Sequence, residues 1–238
     1  MEESNPGINN KKNKFDKIRS KYIVKQIFDN LSQKKVLKLL LYNKALQNRI
    51  NIGISDYKYY YEKIEIEIIP IDIRLKNKFI NIPKNEENFY HIFINNNYKE
   101  TKKNFFEKGE EVTKIKIVID NNIKSLKGLF SFCVCIEKIN FIKFNINDIV
   151  DMSYMFRYCI SLKELILNNF NTENVTNMEA MFFRCTSLKE IDLNKFNTNK
   201  VINMKEMFAF CPSLAKLNFD NFVKNKGTDK SDMFFHCS

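Results

Sequence analysis

The sequence predicts an α+β chain dominated by a solenoid, a stack of 26-residue coils with short parallel strands, preceded by a helical hairpin and a small β-rich segment. Three observations predict it. Phe-x-x-Cys recurs at Phe130 to Cys133, Phe156 to Cys159, Phe182 to Cys185, Phe208 to Cys211 and Phe234 to Cys237, each copy 26 residues after the last. A fixed period of this length marks stacked units that bury a continuous core between neighbours. Apolar residues between 15 and 53 fall at helical spacing, and those between 57 and 120 alternate as in half-buried strands.

Residues 1–14 are polar and rich in Asn and Lys, as in a disordered tail. From Phe15, Ile18, Tyr22, Ile23, Ile27, Phe28 and Leu31 share one helical face, and Ser32 can cap a second helix carrying Val36, Leu39, Leu40, Tyr42, Leu46 and Ile50. Gly53 suits the stop. The run Ile23-Val24-x-x-Ile27-Phe28-x-x-Leu31, with Leu37-x-x-Leu40 and Tyr42-Asn43-Lys44-x-Leu46, resembles an F-box. That resemblance implies a ubiquitin-ligase adaptor bound through residues 15–52 and a role as substrate receptor of a cullin ligase. The same residues also suit two helices that pack on the end of the solenoid.

Residues 54–111 form the β-rich segment. Ile64, Ile66 and Ile68 alternate with polar residues up to Pro70, Ile71 and Ile73 continue beyond it, and the signal returns over Phe89 to Ile94 before Asn95-Asn96-Asn97 turns the chain. Lys99 to Glu111, with its Phe105-Phe106 pair among charges, reads as a short amphipathic helix. Val112, Ile115 and Ile117 read as a degenerate first coil, which places the solenoid at 112–238.

Aligned on cysteine, the units read Cys133-x-x-Ile136-x-x-Ile139-x-Phe141-x-x-Phe144, then Cys159-x-x-Leu162-x-x-Leu165-x-Leu167-x-x-Phe170, and likewise from Cys185 and Cys211. The L-x-x-L-x-L spacing is the leucine-rich-repeat signature, with the alternating pair inward on a short strand. Met155-Phe156, Met181-Phe182 and Met207-Phe208 supply the opposite wall of the core. Ser161-Leu162, Asn169 to Thr172, Asn177-Met178 and Met181-Phe182 together resemble the BspA-like leucine-rich repeats of bacterial surface lipoproteins and protist proteins. The resemblance covers residues 126–238 and implies a right-handed leucine-rich-repeat solenoid that binds other proteins, with surface adhesion as the role of secreted members.

The five registered cysteines occupy equivalent positions, so they are expected to form an inward column of reduced thiols. The one close pair, Cys133-x-Cys135, has no histidine nearby, and zinc needs paired ligands at local spacing. No metal site, cofactor or catalytic residue is predicted. His91 and His236 have no recognisable nucleophile or carboxylate partner in sequence, and no glycine-rich phosphate loop exists among five glycines.

Binding is therefore expected on the open face of the strands. Its outward positions are Lys138, Asn140 and Ile142; Glu164, Ile166 and Asn168; Glu190, Asp192 and Asn194; and Lys216, Asn218 and Asp220. They change chemical type from coil to coil while the inward positions stay apolar, and the acidic centre suits a basic protein segment.

The net charge of +11 is uneven: residues 1–124 carry 25 Lys/Arg against 16 Asp/Glu, and residues 125–238 carry 14 against 12. The repeat is nearly neutral, the excess of lysine over arginine, 34 to 5, is what an AT-rich genome produces, and scattered lysines do not make the clustered surface that phosphate recognition leans on. No apolar run approaches the roughly 20 residues of a membrane span. With no signal peptide or lipidation motif visible, a cytoplasmic protein-interaction module is expected. Its last, uncapped coil is expected to self-associate weakly.

Overall fold

The computed structural model describes residues 62–71, 77–218 and 227–237, together with the isolated helical positions Lys44 and Asn48. The chain divides into two units, Met1–Tyr61 and Glu62–Ser238. The expected tail and helical hairpin, Lys44 and Asn48 apart, lie outside the described residues.

The second unit contains seven strands: β1 Lys63–Pro70, β2 Tyr90–Ile94, β3 Ile115–Asp120, β4 Ile136–Phe144, β5 Glu164–Ile166, β6 Glu190–Asp192 and β7 Lys216–Asn218. One 3-10 turn, Glu87–Phe89, precedes β2. No α-helix occurs among the described residues of this unit, and among all described residues none is long and apolar enough to cross a membrane. Five strands make one mixed sheet in the order β2-β3-β1-β4-β5, while β6 and β7 form a separate parallel pair.

This corrects the expected fold class, a right-handed leucine-rich-repeat solenoid with short parallel strands preceded by a helical hairpin and a small β-rich segment. Three of the four pairings in the large sheet are antiparallel, and β4–β5 alone is parallel. The reason lies in β1. Its Ile64, Ile66 and Ile68 are fully buried on one face, and its two edges pair with β3 and β4. Ile66 stands opposite Ile117 of β3 and Phe141 of β4, so β1 becomes the centre of the sheet.

Two local expectations change with it. Ile115 and Ile117 belong to β3, antiparallel to β1 and β2, and are not a first coil. Lys99 to Glu111 is not helical: Thr101 bridges Ile92 and Phe105 bridges Lys78. Phe106 alone of its aromatic pair is buried, against Phe79 at 4.9 Å between ring centroids. One buried ring provides no apolar stripe to hold a helix.

From Ser125 the 26-residue units stack. Parallel bridges join Ser125, Asp151, Asn177, Asn203 and Asp229 in series. At each of these positions the side-chain oxygen accepts the backbone N–H two residues on, from Lys127, Ser153, Glu179, Lys205 and Ser231 at 2.8–3.1 Å. Short polar side chains that close such turns are what the repeated position supplies.

Each turn then runs through two left-handed residues. Gly128, Tyr154, Ala180, Glu206 and Asp232 form one register, Phe132, Tyr158, Arg184, Phe210 and His236 the other, all with φ between 46° and 63°. The conformation costs a side-chain-bearing residue on the order of 1 kcal/mol or more. It also aims alternate N–H groups at the next unit: Gly128 donates to Ser153 at 2.9 Å, Phe130 to Met155 at 2.8 Å and Phe132 to Arg157 at 2.8 Å. The intervening amides close turns within their own unit, as Leu129 to Leu126 and Cys133 to Phe130. Every second donor is thus tied to the neighbour.

Inside, Phe130, Phe156, Phe182, Phe208 and Phe234 form one column of parallel rings, 5.3–5.7 Å apart. The cysteines beside them do more than fill space. The Cys159 thiol donates to the Phe130 carbonyl at 3.1 Å, Cys185 to Phe156 at 3.1 Å and Cys211 to Phe182 at 3.0 Å. Each of these carbonyls already accepts the N–H of the cysteine in its own unit. The thiol uses its second lone pair, which explains why a weak donor of this size suits the register. Burial pushes the Cys159 and Cys185 thiols well above their ordinary range and Cys211 up to about 12, so these groups are poor nucleophiles.

Candidate binding face

The stranded face follows from inward and outward alternation. Ile139 and Phe141, Leu165 and Leu167, and Ile191 and Leu193 are buried, which turns the residues between them outward. Lys138 and Asn140 on β4 are half-buried and Ile142 is exposed. In the next unit Glu164 and Asn168 are exposed and Ile166 half-buried; in the third, Glu190 and Asp192 are exposed and Asn194 half-buried. Lys216 is exposed and Asn218 half-buried on β7, while Asp220 lies outside the described residues.

Charges on this face are not spread evenly. Across the parallel ladders, Lys138 stands opposite Glu164 and Glu190 opposite Lys216, with ion-pair distances of 2.8 and 3.5 Å. Between these ladders the sheet parts. No backbone hydrogen bond joins β5 to β6, although the same two units remain tied through their turns, as by Phe156 to Met181 at 2.9 Å. Continuing the register would put Glu164 opposite Glu190. Like charges in that relation cost roughly 0.2–1 kcal/mol, enough to matter where each strand has three residues. The result is a cleft of about 300 Å³ lined by Glu164, Ile166, Glu190, Asp192, Lys216 and Asn218 among others.

Asp192 is the carboxylate left without a cation there. Its Oδ1 accepts the Asn194 N–H at 2.9 Å, and among the described residues no lysine pairs with it.

A second polar centre escaped the sequence. His91 on β2 contacts Asp120 of β3 through Nε2 at 3.1 Å and Glu100 through Nδ1 at 3.2 Å. Asp120, 29 residues on, is brought to His91 by the β2–β3 pairing, and Glu100, nine residues on, by the bridge between Ile92 and Thr101. Burial disfavours the imidazolium, but hydrogen bonds and charge from Asp120 and Glu100 outweigh it, and the pKa of His91 is raised. A raised folded value means that the stabilisation is fully present below about pH 6.5 and is lost as pH climbs through the folded pKa. The stability gap between the natural chain and His91→Gln is therefore expected to be largest near pH 6 and to shrink towards pH 8.5. Urea titrations at both values measure it, and a gap that widens with pH would contradict the assignment. No nucleophile adjoins this histidine among its contacts, so it serves to tie β2, β3 and the loop at Glu100 together.

Among the described residues no group of side chains could hold a metal ion. All six cysteines are free.

Residues 124–238 match a family model. Its description is "Mycoplasma protein of unknown function, DUF285", and the match spans just under half of the chain. It begins where the stacked units do, one residue before the first bridge at Ser125. No curated protein and no solved structure matches the chain.

Proposed function

We propose that this chain is a non-enzymatic protein-binding module that takes a basic segment of a partner protein on the stranded face of its stacked units, centred on the β5–β6 cleft. The observation that carries the reading is the parting of the sheet at Glu164 and Glu190, which leaves these carboxylates and Asp192 around one opening. A lysine or arginine from a partner would relieve the repulsion between the two glutamates and give Asp192 the cation it lacks. The inward positions repeat from unit to unit while the outward ones vary, as suits a surface whose sequence is set by something other than the core.

Affinity capture from the native cell, followed by mass spectrometry, tests it. Glu190→Lys together with Asp192→Lys is expected to reduce recovery of the partner at least about tenfold, as loss of desolvated charge pairs does. Reversal of the exposed Asp148, away from the cleft, is expected to leave recovery unchanged. The same catch with and without the cleft reversals would overturn the proposal. Recovery of a ligase adaptor through residues 15–52, unaffected by the cleft variants, would favour a receptor role instead.

A further inference from the structure

The turn side of the units carries a different surface. The residue before each registered cysteine is planar in all five copies: Phe132, Tyr158, Arg184, Phe210 and His236. These occupy the second left-handed register, a backbone conformation in which bulky side chains are outliers. They stack on one another along the edge. Phe132 and Tyr158 lie 4.5 Å apart, the Arg184 guanidinium sits 5.5 Å from the Tyr158 ring and 4.6 Å from Phe210, and Phe210 lies 5.1 Å from His236.

Arg157 joins the stack from the neighbouring column, 5.4 Å from the Tyr154 ring, 5.3 Å from Tyr158 and 5.1 Å from Phe183. Arg184 shares two of those rings, Tyr158 and Phe183. Thus two cations crowd onto the same pair of rings, and neither has a carboxylate within ion-pair distance among the described residues. The Arg157 Nε is buried with no hydrogen-bond partner. The nearby Glu179 does not serve them: one of its oxygens accepts from the Tyr154 hydroxyl and the other from Asn203 at 3.2 Å.

Composition sharpens the point. In a chain with 34 lysines and five arginines, two arginines stand here. Guanidinium differs from ammonium in stacking flat on rings while offering a fork of donors to an oxyanion.

We infer that the Arg157–Arg184 edge is a second binding site, which takes an aspartate or glutamate carboxylate from an extended segment of a partner protein. A single carboxylate complements two unpaired guanidinia whose ring faces are already occupied by the protein's own stack. A phosphate dianion would meet stronger repulsion from Glu179 beside it. A nucleic-acid strand needs a run of cations along its backbone, and this edge gathers its two guanidinia at one point, with the Lys127 ammonium 5.7 Å from the Tyr154 ring. The inference does not rest on the acidic cleft, which is made by other residues and suits a segment of the opposite charge.

The test is fluorescence anisotropy on the full chain, at about 0.15 M salt, with a fluorescein-labelled peptide of six glutamates. Peptides of six glutamines and of six phosphoserines are the comparisons. The glutamate peptide is expected to bind, and Arg157→Gln or Arg184→Gln to weaken it about fivefold or more each, consistent with loss of a charge-assisted fork. Arg184→Lys keeps the charge but removes the fork, and is expected to weaken binding as well. It is the deciding variant if the glutamine variants fail to fold. A pair elsewhere, Lys189→Gln with Lys195→Gln, removes two charges where each arginine variant removes one, and is still expected to change binding less than about twofold. No binding by the natural chain, undiminished binding by Arg184→Lys, an equal loss in the lysine pair, or tighter binding of the phosphoserine peptide would each overturn the assignment.

Discussion

Phe182→Ala is expected to destabilise the folded chain by about 3–5 kcal/mol. Phe182 is fully buried at the middle of the ring column, 5.4 Å from Phe156 and 5.3 Å from Phe208. Alanine removes both stacking contacts and leaves a void that the backbone cannot close, because the N–H and the carbonyl of the peptide unit before Phe182 are tied to the following and the preceding unit. Phe182 itself donates to Met207 at 2.9 Å, and Phe156 donates to Met181 at 2.9 Å. The midpoint of thermal unfolding should fall by roughly 10 °C for a unit of this size. Phe234→Ala, at a ring that is 44% exposed, should cost far less. Equal losses at the two positions, read by circular dichroism, would show that the column does not act as a core.

Ile66→Asp is expected to have an effect at least as large, and to be more local in what it breaks. Ile66 is fully buried on the central strand between Ile117 and Phe141. An unpaired carboxylate there either stays charged at prohibitive cost or takes up a proton, and neither state packs against isoleucine and phenylalanine. Since β1 alone joins β3 to β4, amide protection should vanish throughout β1, β2 and β3. The units from Asp151 onward are held by contacts to their immediate neighbours, and contacts of that kind survive damage elsewhere. Hydrogen exchange that remains normal at Met178, Phe182 and Phe208 while failing at Ile92 and Ile117 is the expected pattern. Uniform loss along the whole chain would mean that the sheet and the units fold as one.

The contrast between these two sites bears on what can be read in advance. The 26-residue period puts Cys159, Leu162, Leu165, Leu167 and Phe170 inward, and all five are buried. Repetition is a strong signal because the same physical constraint is sampled several times in one chain. The alternation Ile64, Ile66, Ile68 marks a strand, but nothing local states whether its neighbours run parallel or antiparallel. That is decided by which distant strands can meet its edges, β3 about 50 residues away and β4 about 75. Composition alone therefore draws Ile115 and Ile117 into the repeat, and the mixed sheet stays hidden. The same holds for His91, whose partner Asp120 is set by the β2–β3 pairing and whose partner Glu100 by the Ile92–Thr101 bridge.

The outward strand residues are legible from the period, yet the parting between β5 and β6 is not. It depends on which charges fall opposite one another, Lys138 with Glu164 and Glu190 with Lys216, leaving Glu164 and Glu190 as the unmatched neighbours. The planar residue before each of the five registered cysteines is visible in the letters, as Phe132, Tyr158, Arg184, Phe210 and His236. Its meaning needs the left-handed backbone and the ring distances, because side chains at that position would otherwise read as ordinary solvent-facing variation.

The thiol bonds carry a consequence for how such a chain can change in length. Alternate backbone donors of each turn reach forward to the following unit, as Phe156 to Met181, others reach back, as Thr176 to Val150, and each buried thiol reaches back to the Phe carbonyl of the preceding unit. A residue added inside a unit shifts both sets out of phase, whereas removing 26 consecutive residues between Asp151 and Asn203 rejoins every donor to an equivalent acceptor. The length of the stack is in effect counted in whole units, and its binding faces lengthen or shorten by the same step.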